Sequence, residues 1–569
     1  MTKTNSKLAD EYTYDAIVIG SGISGGWAAK ELCEAGLKTI ILERGRDVKH
    51  VKDYPTMNYD PWDMKYKGAL SEEEMKDYPK QSRTGYTIRE EHAHFFVKDT
   101  EHPYNEEKPF DWHRGYQVGG RSLVWGRQSY RLSPMDFEAN KKDGHGVDWP
   151  IRYKDLAPWY DYVESHIGVS GSEEGLPQLP DGKFLPPFEL NCAELDVKSK
   201  MESSFPERNL IIGRTAHVTG PLKGRSQCQS RNRCMRGCPY GGYFSSQAST
   251  LPAAEATGNM TLRPNSIVAE VLYDAESGKA SGVKVIDKET HEEFIYKAKI
   301  IFVNASAVAS TAILMNSKSE RFPNGMGNDS GELGHNIMDH LMGGGAGGEI
   351  DGLEDKYYSG RRPTGFYIPR FVNLDEKTKR EGFIRGYGYQ GGAQRKNWNR
   401  GNGDFEFGED FKNDMLKPGG WTIGMGGFGE CLPNHENKMM LDYDNLDQWG
   451  QPTVTFDAEF KENEQKMVLD IAKSAAEMLE SAGVKNVRSW SNITTIGKGI
   501  HEMGTARMGR DPKTSVLNEW NQIHAVPNVF VTDGACMTSS GCQNPSLTYM
   551  ALTARAVNQA VKLLKNNLL

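Results

Sequence analysis

The feature that most constrains the fold of this chain is a glycine-rich loop near its N-terminus. The segment "YDAIVIG", from Tyr14 to Gly20, is a short apolar run that predicts a buried strand. The following "SGISGGWAAKELCEAG" has helical periodicity, and "LKTIILERG" is a second apolar strand. A strand, a helix and a second strand in this order predict a βαβ unit, and hence an α/β fold with a parallel sheet.

The loop itself has the pattern G-x-G-x-x-G, formed by Gly20, Gly22 and Gly25. The first glycine makes the tight turn, the second lets the backbone approach a pyrophosphate, and the third lets helix and strand pack closely. Glu43 ends the second strand, where its carboxylate can accept hydrogen bonds from ribose hydroxyls. The unit predicts a Rossmann-like dinucleotide site, but the pattern does not distinguish FAD from NAD.

Beyond this unit the residue composition changes along the chain. Residues 50–112 are polar and aromatic, which predicts long loops and short helices over the core. Residues 280–304 resemble a β-meander that returns to the core. Between 336 and 498 the chain is rich in Gly, Asn and aromatic residues, which indicates a separate antiparallel sheet with long loops. The fold class is therefore α/β, or α+β overall, with a second domain built on that sheet.

Composition and charge exclude several classes of protein. The chain has 569 residues, 37% hydrophobic and 25% charged, as in globular proteins. Its net charge is −8 and no long Lys/Arg block occurs, so we expect no nucleic-acid partner. The first residues, "MTKTNSKLADEYTYD", have neither an apolar core nor twin arginines, and no apolar run approaches 18 residues. We expect no signal peptide and no membrane span; alone, the chain resembles a cytoplasmic protein.

Three closely spaced thiols stand out in an otherwise cysteine-poor chain. Cys228, Cys234 and Cys238 have the spacing C-x5-C-x3-C, and a proline follows. A disulfide with one free thiol is possible in an exported protein. A zinc site needs four ligands, for which His217 is the nearest upstream histidine. An iron–sulfur cluster with one iron per thiolate is the third possibility, and these residues alone leave all three open.

Five further stretches occur in a fixed order along the chain. They are "YQVGGRSLVWGRQSYR" (116–131), "SAVASTAILMNS" (306–317), "LGHNIMDH" (333–340), "HEMGTARMG" (501–509) and "VTDGACMTSSGCQNPSLTYMALTARA" (531–556). With the N-terminal unit they resemble the glucose–methanol–choline (GMC) family of FAD oxidoreductases, from about residue 14 to 556. The second stretch departs from the family pattern, since Lys318 replaces a usual glycine.

The resemblance implies FAD as the cofactor and assigns residues to it. Gly119, Gly120 and Ser122 would line the flavin, and Asp533 and Gly534 would lie near its ribityl–phosphate and pyrimidine side. It also implies a discontinuous fold. The FAD-binding domain would comprise residues 11–135, 245–335 and 500–569, and the substrate-binding domain residues 136–244 and 336–499, with the cysteine-rich loop at 226–242.

His501 and Asn544 correspond to the family's catalytic pair, which faces the flavin N5. Oxidising an alcohol requires that its hydroxyl proton be removed while a hydride leaves the carbon. Histidine is the natural proton acceptor near neutral pH. An asparagine can hydrogen-bond the same hydroxyl without competing for its proton, so this pair predicts an alcohol-oxidising site.

The cysteine spacing narrows the resemblance to catalytic subunits of bacterial membrane-linked sugar dehydrogenases. In FAD-dependent glucose dehydrogenase such thiols hold a [3Fe–4S] cluster. The resemblance therefore implies this cluster, with Cys228, Cys234 and Cys238 as ligands, passing electrons to a c-type cytochrome. It also implies a small partner subunit with a twin-arginine signal, and periplasmic location by co-export with it.

The overall layout most resembles glycoside 3-dehydrogenases, which oxidise the C3 hydroxyl of glucosides and disaccharides to 3-keto sugars. We therefore expect a dehydrogenase acting on a secondary hydroxyl of a sugar or glycoside. Three alternatives stay open at this point. They are a gluconate 2-dehydrogenase or glucose dehydrogenase subunit, an oxygen-dependent sugar oxidase, and a non-enzymatic flavoprotein subunit.

Overall fold

A computed structural model describes residues 13–356, 363–396 and 407–569. The predicted βαβ unit is present as β1 (Thr13–Ile19), α1 (Ile23–Glu34) and β2 (Thr39–Leu42), with β1 and β2 parallel. Their apolar side chains are buried on both faces, as a parallel sheet between layers requires. The N-terminal segment on which the signal-peptide prediction depends lies largely in residues 1–12, outside the described residues.

The first sheet has eight strands. Besides β1 and β2 they are β5 (Met260–Arg263), β6 (Ser266–Asp274), β7 (Lys279–Asp287), β8 (Glu293–Val303), β16 (Gln522–Ile523) and β17 (Val526–Val531). The parallel core has the order β17-β8-β1-β2-β5. Antiparallel strands β6 and β7 extend it beside β8, which confirms the predicted meander, and β16 forms the far edge.

A second sheet has six antiparallel strands. They are β4 (Ile211–Ile212), β9 (Gly344–Ile350), β10 (Phe366–Ile368), β11 (Tyr387–Arg395), β12 (Trp421–Gly429) and β15 (Lys485–Ser491), in the order β15-β9-β12-β11-β10-β4. A long helix, α9 (Glu462–Ser481), covers one face, where the Tyr389 hydroxyl donates to the Ile471 carbonyl at 2.6 Å. This confirms the predicted separate antiparallel sheet, although part of the region, residues 357–362 and 397–406, lies outside the described residues.

A small third sheet joins distant parts of the chain. Strand β14 (Pro452–Asp457) pairs with β13 (Lys438–Leu446) and, in parallel, with β3 (Asn105–Glu106). Residues of the two predicted domains thus share a sheet. The boundaries of the two domains stay a prediction.

The helices pack mainly around the first sheet. Helices α1 and α10 (Ser546–Lys565) pack together against it, with Trp27 fully buried. Between residues 50 and 112 the described elements are α2 (Glu72–Met75), short 3-10 turns and the two-residue strand β3, which agrees with the predicted loops and short helices. No described helix is long and apolar enough to cross a bilayer. The remaining helices are α3 (Pro134–Asp143), α4 (Tyr153–Ile167), α5 (Cys192–Ser204), α6 (Thr250–Glu255), α7 (Ala307–Asn316) and α8 (Glu409–Met415).

Candidate active site

A cavity of about 680 Å³ extends from the carboxyl ends of β1 and β2 to the second sheet. This is the edge at which open α/β sheets bind nucleotides. Gly25 and Gly119 do not line this cavity, and neither do the three clustered cysteines. The predicted residues that line it are Gly20, Gly22, Glu43, Gly120, Ser122, His501, Asp533, Gly534 and Asn544.

The three glycines of the N-terminal loop each have a steric reason. Gly20 has φ +91°, and a Cβ there would lie 2.5 Å from the Asn304 carbonyl oxygen. A Cβ on Gly25 would lie 2.0 Å from the Gly20 carbonyl oxygen, so only glycine lets α1 pack this close. Gly22, the N-cap of α1, has no described atom within 4 Å of an added Cβ. This leaves space for a phosphate at the helix N-terminus, where backbone N–H groups favour anions.

Glu43 is buried and ties two loops together through Ser21. Its carboxylate accepts hydrogen bonds from the Ser21 backbone N–H at 3.0 Å and from the Ser21 hydroxyl at 2.6 Å. The Ser21 oxygen in turn accepts the Gly119 N–H at 2.9 Å. Burial raises the pKa of Glu43, while these donors and the Gly45 N–H lower it. Gly119, with φ +92°, does not line the cavity itself, but its hydrogen bond to Ser21 holds the backbone of Gly120, which does.

The predicted flavin-side residues belong to two further loops. Gly120 has φ +51°, and a Cβ on it would lie 3.3 Å from the Gly22 Cα. The Ser122 hydroxyl donates to the Gly119 carbonyl, which closes a tight 3-10 turn. Asp533 accepts the Ser310 hydroxyl at 2.5 Å and the Ala535 N–H at 3.0 Å, and burial raises its pKa to about 6.

The polar groups that line the cavity are compatible with FAD as its ligand. Two polar groups that line it, the Asn304 side-chain amide nitrogen and the Tyr549 hydroxyl, are buried with no hydrogen-bond partner within the described ranges. Such atoms are costly unless a ligand or water satisfies them. Together with the open space at Gly22, they match a polar, phosphate-bearing ligand. Glu43 would hold the ribose, and Gly120, Ser122, Asp533 and Gly534 would contact the flavin half.

His501 has a hydrogen-bond chain that determines which ring nitrogen bears the proton. The Nε2 of buried His340 lies 3.0 Å from the Gly541 carbonyl oxygen, which can only accept, so His340 donates there. Burial lowers the pKa of His340 to about 4, so its Nδ1 carries a lone pair at neutral pH. That Nδ1 lies 2.8 Å from His501 Nδ1, which must therefore donate. Burial also lowers the pKa of His501 well below its usual value. Its Nε2 therefore keeps a free lone pair.

Asn544 offers a hydrogen-bond donor to the cavity, whereas His501 offers an acceptor. The Gln390 side-chain amide donates to Asn544 Oδ1 at 2.5 Å, which leaves the Asn544 NH2 group as the available donor. Gln390, on β11, also lines the cavity. The two predicted catalytic residues thus line one cavity, one offering an acceptor and the other a donor.

The loop that carries His501 is anchored on both sides. Asp339 accepts the His501 backbone N–H at 3.0 Å and the Gly497 and Gly499 N–H groups at 2.8 Å. The next residue, Glu502, forms a two-pronged ion pair with Arg121 at 3.0 and 2.8 Å. Arg121 belongs to the turn that carries Gly120, so this pair holds the His501 loop against the predicted flavin-contacting turn.

The three predicted cluster cysteines lie on one loop outside the cavity. All are free thiols, so a disulfide is not formed. The Cys234 sulfur lies 3.7 Å from Nε2 of the buried His217, whose Nδ1 contacts the Thr215 hydroxyl at 2.9 Å. Burial, with smaller contributions from Cys234 and Cys238, raises the pKa of the Cys228 thiol to about 11. The three thiols are thus electrostatic neighbours.

This loop does not form a ready metal site. Across the parts of the chain that the structure describes, no three metal-ligating side chains form a group that could hold a metal ion. The described arrangement of Cys228, Cys234 and Cys238 therefore gives no support to the predicted [3Fe–4S] cluster or to a zinc ion, and the cluster stays a prediction.

The residues that orient the predicted ones were not identified from the sequence. His340 ends the quoted stretch 333–340, where a histidine closing a family motif was the available signal. Ser21 lies between two loop glycines, but nothing in the sequence pairs it with Glu43, which is 22 residues further along the chain. Gln390 had no signal, because it lies 154 residues from Asn544 in an aromatic- and glycine-rich region.

Comparison with known proteins places the chain in a family. Profiles described as GMC oxidoreductase match residues 14–342 and 433–553. A 2-methyl-1,2-propanediol dehydrogenase of Mycolicibacterium austroafricanum is 28% identical, with 95% of this chain and 94% of the relative covered. The fructose dehydrogenase large subunit of Gluconobacter japonicus is 25% identical, with 97% and 98% covered.

Solved structures show the same fold. Pyridoxine 4-oxidase from Mesorbium loti aligns with a TM-score of 0.58 at 15% identity, over 96% of this chain and 98% of that one. The family assignment agrees with the lining of the cavity, which offers space at Gly22 and, at Asn304 and Tyr549, polar groups that are unpaired among the described residues. The chain belongs to the GMC oxidoreductase family and is an FAD-dependent enzyme that acts on CH–OH groups, as its ordered motifs predict.

Proposed function

We propose that this protein is a dehydrogenase that oxidises a secondary hydroxyl of a sugar or glycoside, at C3, to give a 3-keto glycoside. The observation that carries the proposal is the complementary pair in the lining of the cavity, where His501 offers a lone pair and Asn544 an N–H. The name of one relative that is covered over nearly its whole length, the fructose dehydrogenase large subunit, supports a sugar as substrate. The choice of C3 depends on the resemblance alone.

Each residue of the pair has its own step. A hydroxyl bound between the two accepts a hydrogen bond from the Asn544 amide and donates its proton to His501 Nε2. These two bonds direct the carbinol C–H away from the pair, and proton removal by a positioned base typically contributes about 10² to 10⁴ in rate. When bound, FAD supplies a two-electron hydride acceptor. Burial of the site excludes water from the reacting carbon.

The route of electrons out of the enzyme is a finer proposal with narrower support. The spacing of Cys228, Cys234 and Cys238 supports a [3Fe–4S] cluster only through the family resemblance. Iron and acid-labile sulfide analysis of protein purified without oxygen tests it, with Cys234→Ser as the comparison. Equal, near-zero iron in both proteins would eliminate the cluster.

The partner proposals have a separate test. We propose a small subunit with a twin-arginine signal, a c-type cytochrome and periplasmic location by co-export. Expression with the genomic neighbours should place the protein in the periplasmic fraction. Retention in the cytoplasm would leave the chain as a cytoplasmic enzyme and eliminate this arrangement.

Anaerobic reduction of the flavin across a panel of sugars tests the main proposal. We expect glycosides to bleach the flavin, and NMR of the product to show a ketone at C3. Bleaching with a ketone elsewhere would correct the position, as for a gluconate 2-dehydrogenase or glucose dehydrogenase subunit. No bleaching with any sugar would refute the proposal. Stoichiometric hydrogen peroxide in air would instead identify an oxidase.

A further inference from the structure

A tryptophan on the edge strand of the second sheet has no role in the proposed alcohol oxidation. Trp490 lies on β15, and 42% of its surface is exposed. Its Cζ2 atom lies 2.6 Å from the position of an added Cβ on Gly345, and its Cζ3 atom lies 3.8 Å from one on Gly347. The indole ring therefore rests on two glycines of β9. An exposed aromatic ring supported by bare backbone is available for stacking with a ligand.

Trp490 belongs to a row of residues that ends at the catalytic cavity. Across the sheet Trp490 pairs with Gly345, Gly345 with Gly426, and Gly426 with Gln390. Directly paired residues point to the same face of a sheet. This face is the one away from α9, because the neighbouring glycines of β9 and β12 are those whose added Cβ atoms would meet Ile471. Gln390 lines the catalytic cavity and orients the catalytic asparagine, so the row leads from Trp490 to the reacting groups.

The space between Gln390 and Trp490 is open above β12. The only described atom within 4 Å of an added Cβ on Gly426 is the Gly344 carbonyl oxygen, at 3.9 Å. Gly426 is partly exposed to solvent, and Phe428 on the same face of β12 also lines the catalytic cavity. Strands lie about 4.8 Å apart, so β9, under the indole, is about 10 Å from Gln390. A glycoside held at the catalytic pair can therefore lay its aglycone over Gly426 against the indole ring.

The chemistry of this surface favours a flat apolar ligand. Its floor, at Gly345, Gly424 and Gly426, has no side chains, and β12 is paired with β9 and β11 on its two sides. The hydroxyls of a second sugar ring would find no side-chain partner on this floor. An aromatic ring gains by leaving water and by stacking on the indole. Two charged side chains of the same face, Arg488 and Glu349, attract each other, so they do not require a charged ligand.

We propose that the surface formed by Trp490, Gly345, Gly424 and Gly426 binds the aromatic aglycone of a glycoside whose sugar ring is oxidised at the catalytic pair. This inference rests on the proposed function and adds a specificity to it. The enzyme prefers aryl glycosides to alkyl glycosides of the same sugar. The aglycone supplies the additional binding, and a second sugar ring does not.

Removal of the indole tests the proposal. In Trp490→Ala we expect the ratio of kcat/KM for phenyl β-glucopyranoside to kcat/KM for methyl β-glucopyranoside to fall at least fivefold, because stacking and burial of the aryl group are lost together. Trp62→Ala is the matched control, since Trp62 is 80% exposed and does not line the catalytic cavity. Its ratio should equal that of the wild type.

A second variant guards against misfolding of the first. In Gly426→Val the new side chain occupies the space beside the indole, and valine is well suited to a strand. The same ratio should fall at least threefold. An unchanged ratio in both folded, flavin-loaded variants would overturn the proposed aglycone surface.

Cellobiose distinguishes an aromatic ligand from a second sugar ring. The ratio of kcat/KM for cellobiose to kcat/KM for methyl β-glucopyranoside should change less than twofold in Trp490→Ala. A fall as large as that for the phenyl glycoside would show that the indole binds a sugar ring, and would refute the aromatic specificity.

A binding measurement separates this proposal from the proposed function. Calorimetry on flavin-loaded His501→Ala should give a Kd for phenyl β-glucopyranoside at least fivefold below that for methyl β-glucopyranoside. Adding Trp490→Ala should abolish the difference. Equal Kd values for the two glycosides before that addition would refute the aglycone surface even if both are oxidised. Failure of every glycoside to reduce the wild-type flavin would refute the proposed oxidation but leave this binding comparison intact.

Discussion

Replacement of His340 tests whether the proton position on His501 is set by its neighbour. His340 makes no predicted contact with substrate, yet its Nδ1 accepts the His501 Nδ1–H at 2.8 Å. His340→Leu keeps a similar volume and removes the acceptor. His340→Asn removes the ring but places a carbonyl oxygen near the lost Nδ1, so the two variants differ mainly in that acceptor.

The expected magnitude follows from the burial of this hydrogen bond. A buried donor left without a partner costs about 1–3 kcal/mol. In His340→Leu that cost disfavours the ring form with a proton on Nδ1 and a lone pair on Nε2. At 1.36 kcal/mol per tenfold, the population of the basic form falls by about 5- to 150-fold. The rate constant for flavin reduction should fall by a similar factor, and His340→Asn should stay within about threefold of wild type.

Anaerobic stopped-flow measurement of flavin reduction gives these rates, with flavin content checked for each variant. A structural role alone would lower the rate in both variants equally. Nitrogen NMR of ¹⁵N-histidine-labelled protein supplies an independent reading, because protonated and free ring nitrogens have distinct shifts. The role of His340 is refuted if His501 carries its proton on Nε2 in the wild type, or if the leucine variant reduces its flavin as fast as the asparagine variant.

Three other predictions concern the same region. Gln390→Leu frees the Asn544 carboxamide to rotate, so kcat/KM should fall by about tenfold, the value of one hydrogen bond of roughly 1.4 kcal/mol, with bound flavin unchanged; an unaltered kcat/KM would show that Asn544 is oriented by something else. Arg121→Met leaves Glu502 buried and unpaired, which should lower the free energy of unfolding by about 3–5 kcal/mol, and the added Glu502→Gln should recover part of it in thermal unfolding. His340 has a folded-state pKa of about 4 against 6.5 unfolded, so the unfolded state binds more protons between these values. Stability is then fully present above pH 6.5 and falls by about 3 kcal/mol as pH drops to 4. Urea midpoints at pH 7 and pH 4 should show a smaller loss for His340→Asn, and equal losses in the two proteins would contradict the shift.

The N-terminal part of the fold was predictable because its causes are local. The strand, loop and helix from Tyr14 to Glu34 follow from periodicity, and the clash that requires Gly25 arises within the same turn. The predicted antiparallel sheet was recognisable from composition, although its strand order was not. The pairing of β11 with β12 and β10 depends on contacts between distant parts of the chain, among them the packing of the sheet on α9. No short window of sequence contains these contacts.

In the site, too, local features could be predicted from the sequence and long-range contacts could not. His501 and Asn544 lie in recognisable motifs, so both could be named from the sequence. Their polarity could not, because it depends on His340 and Gln390, which the fold brings from more than 150 residues away. The three cysteines lie on one loop because they are close in the sequence, but this closeness alone does not create a metal-binding geometry among the described residues.

The most direct test of the catalytic assignment is the rate of anaerobic flavin reduction by a glycoside in His501→Ala, measured beside wild type on fully flavin-loaded protein. Loss of the Nε2 acceptor should slow reduction by at least 100-fold, within the range expected for a positioned base. If His501→Ala reduces its flavin at the wild-type rate, His501 is not the proton acceptor and the proposed division of roles between His501 and Asn544 is wrong.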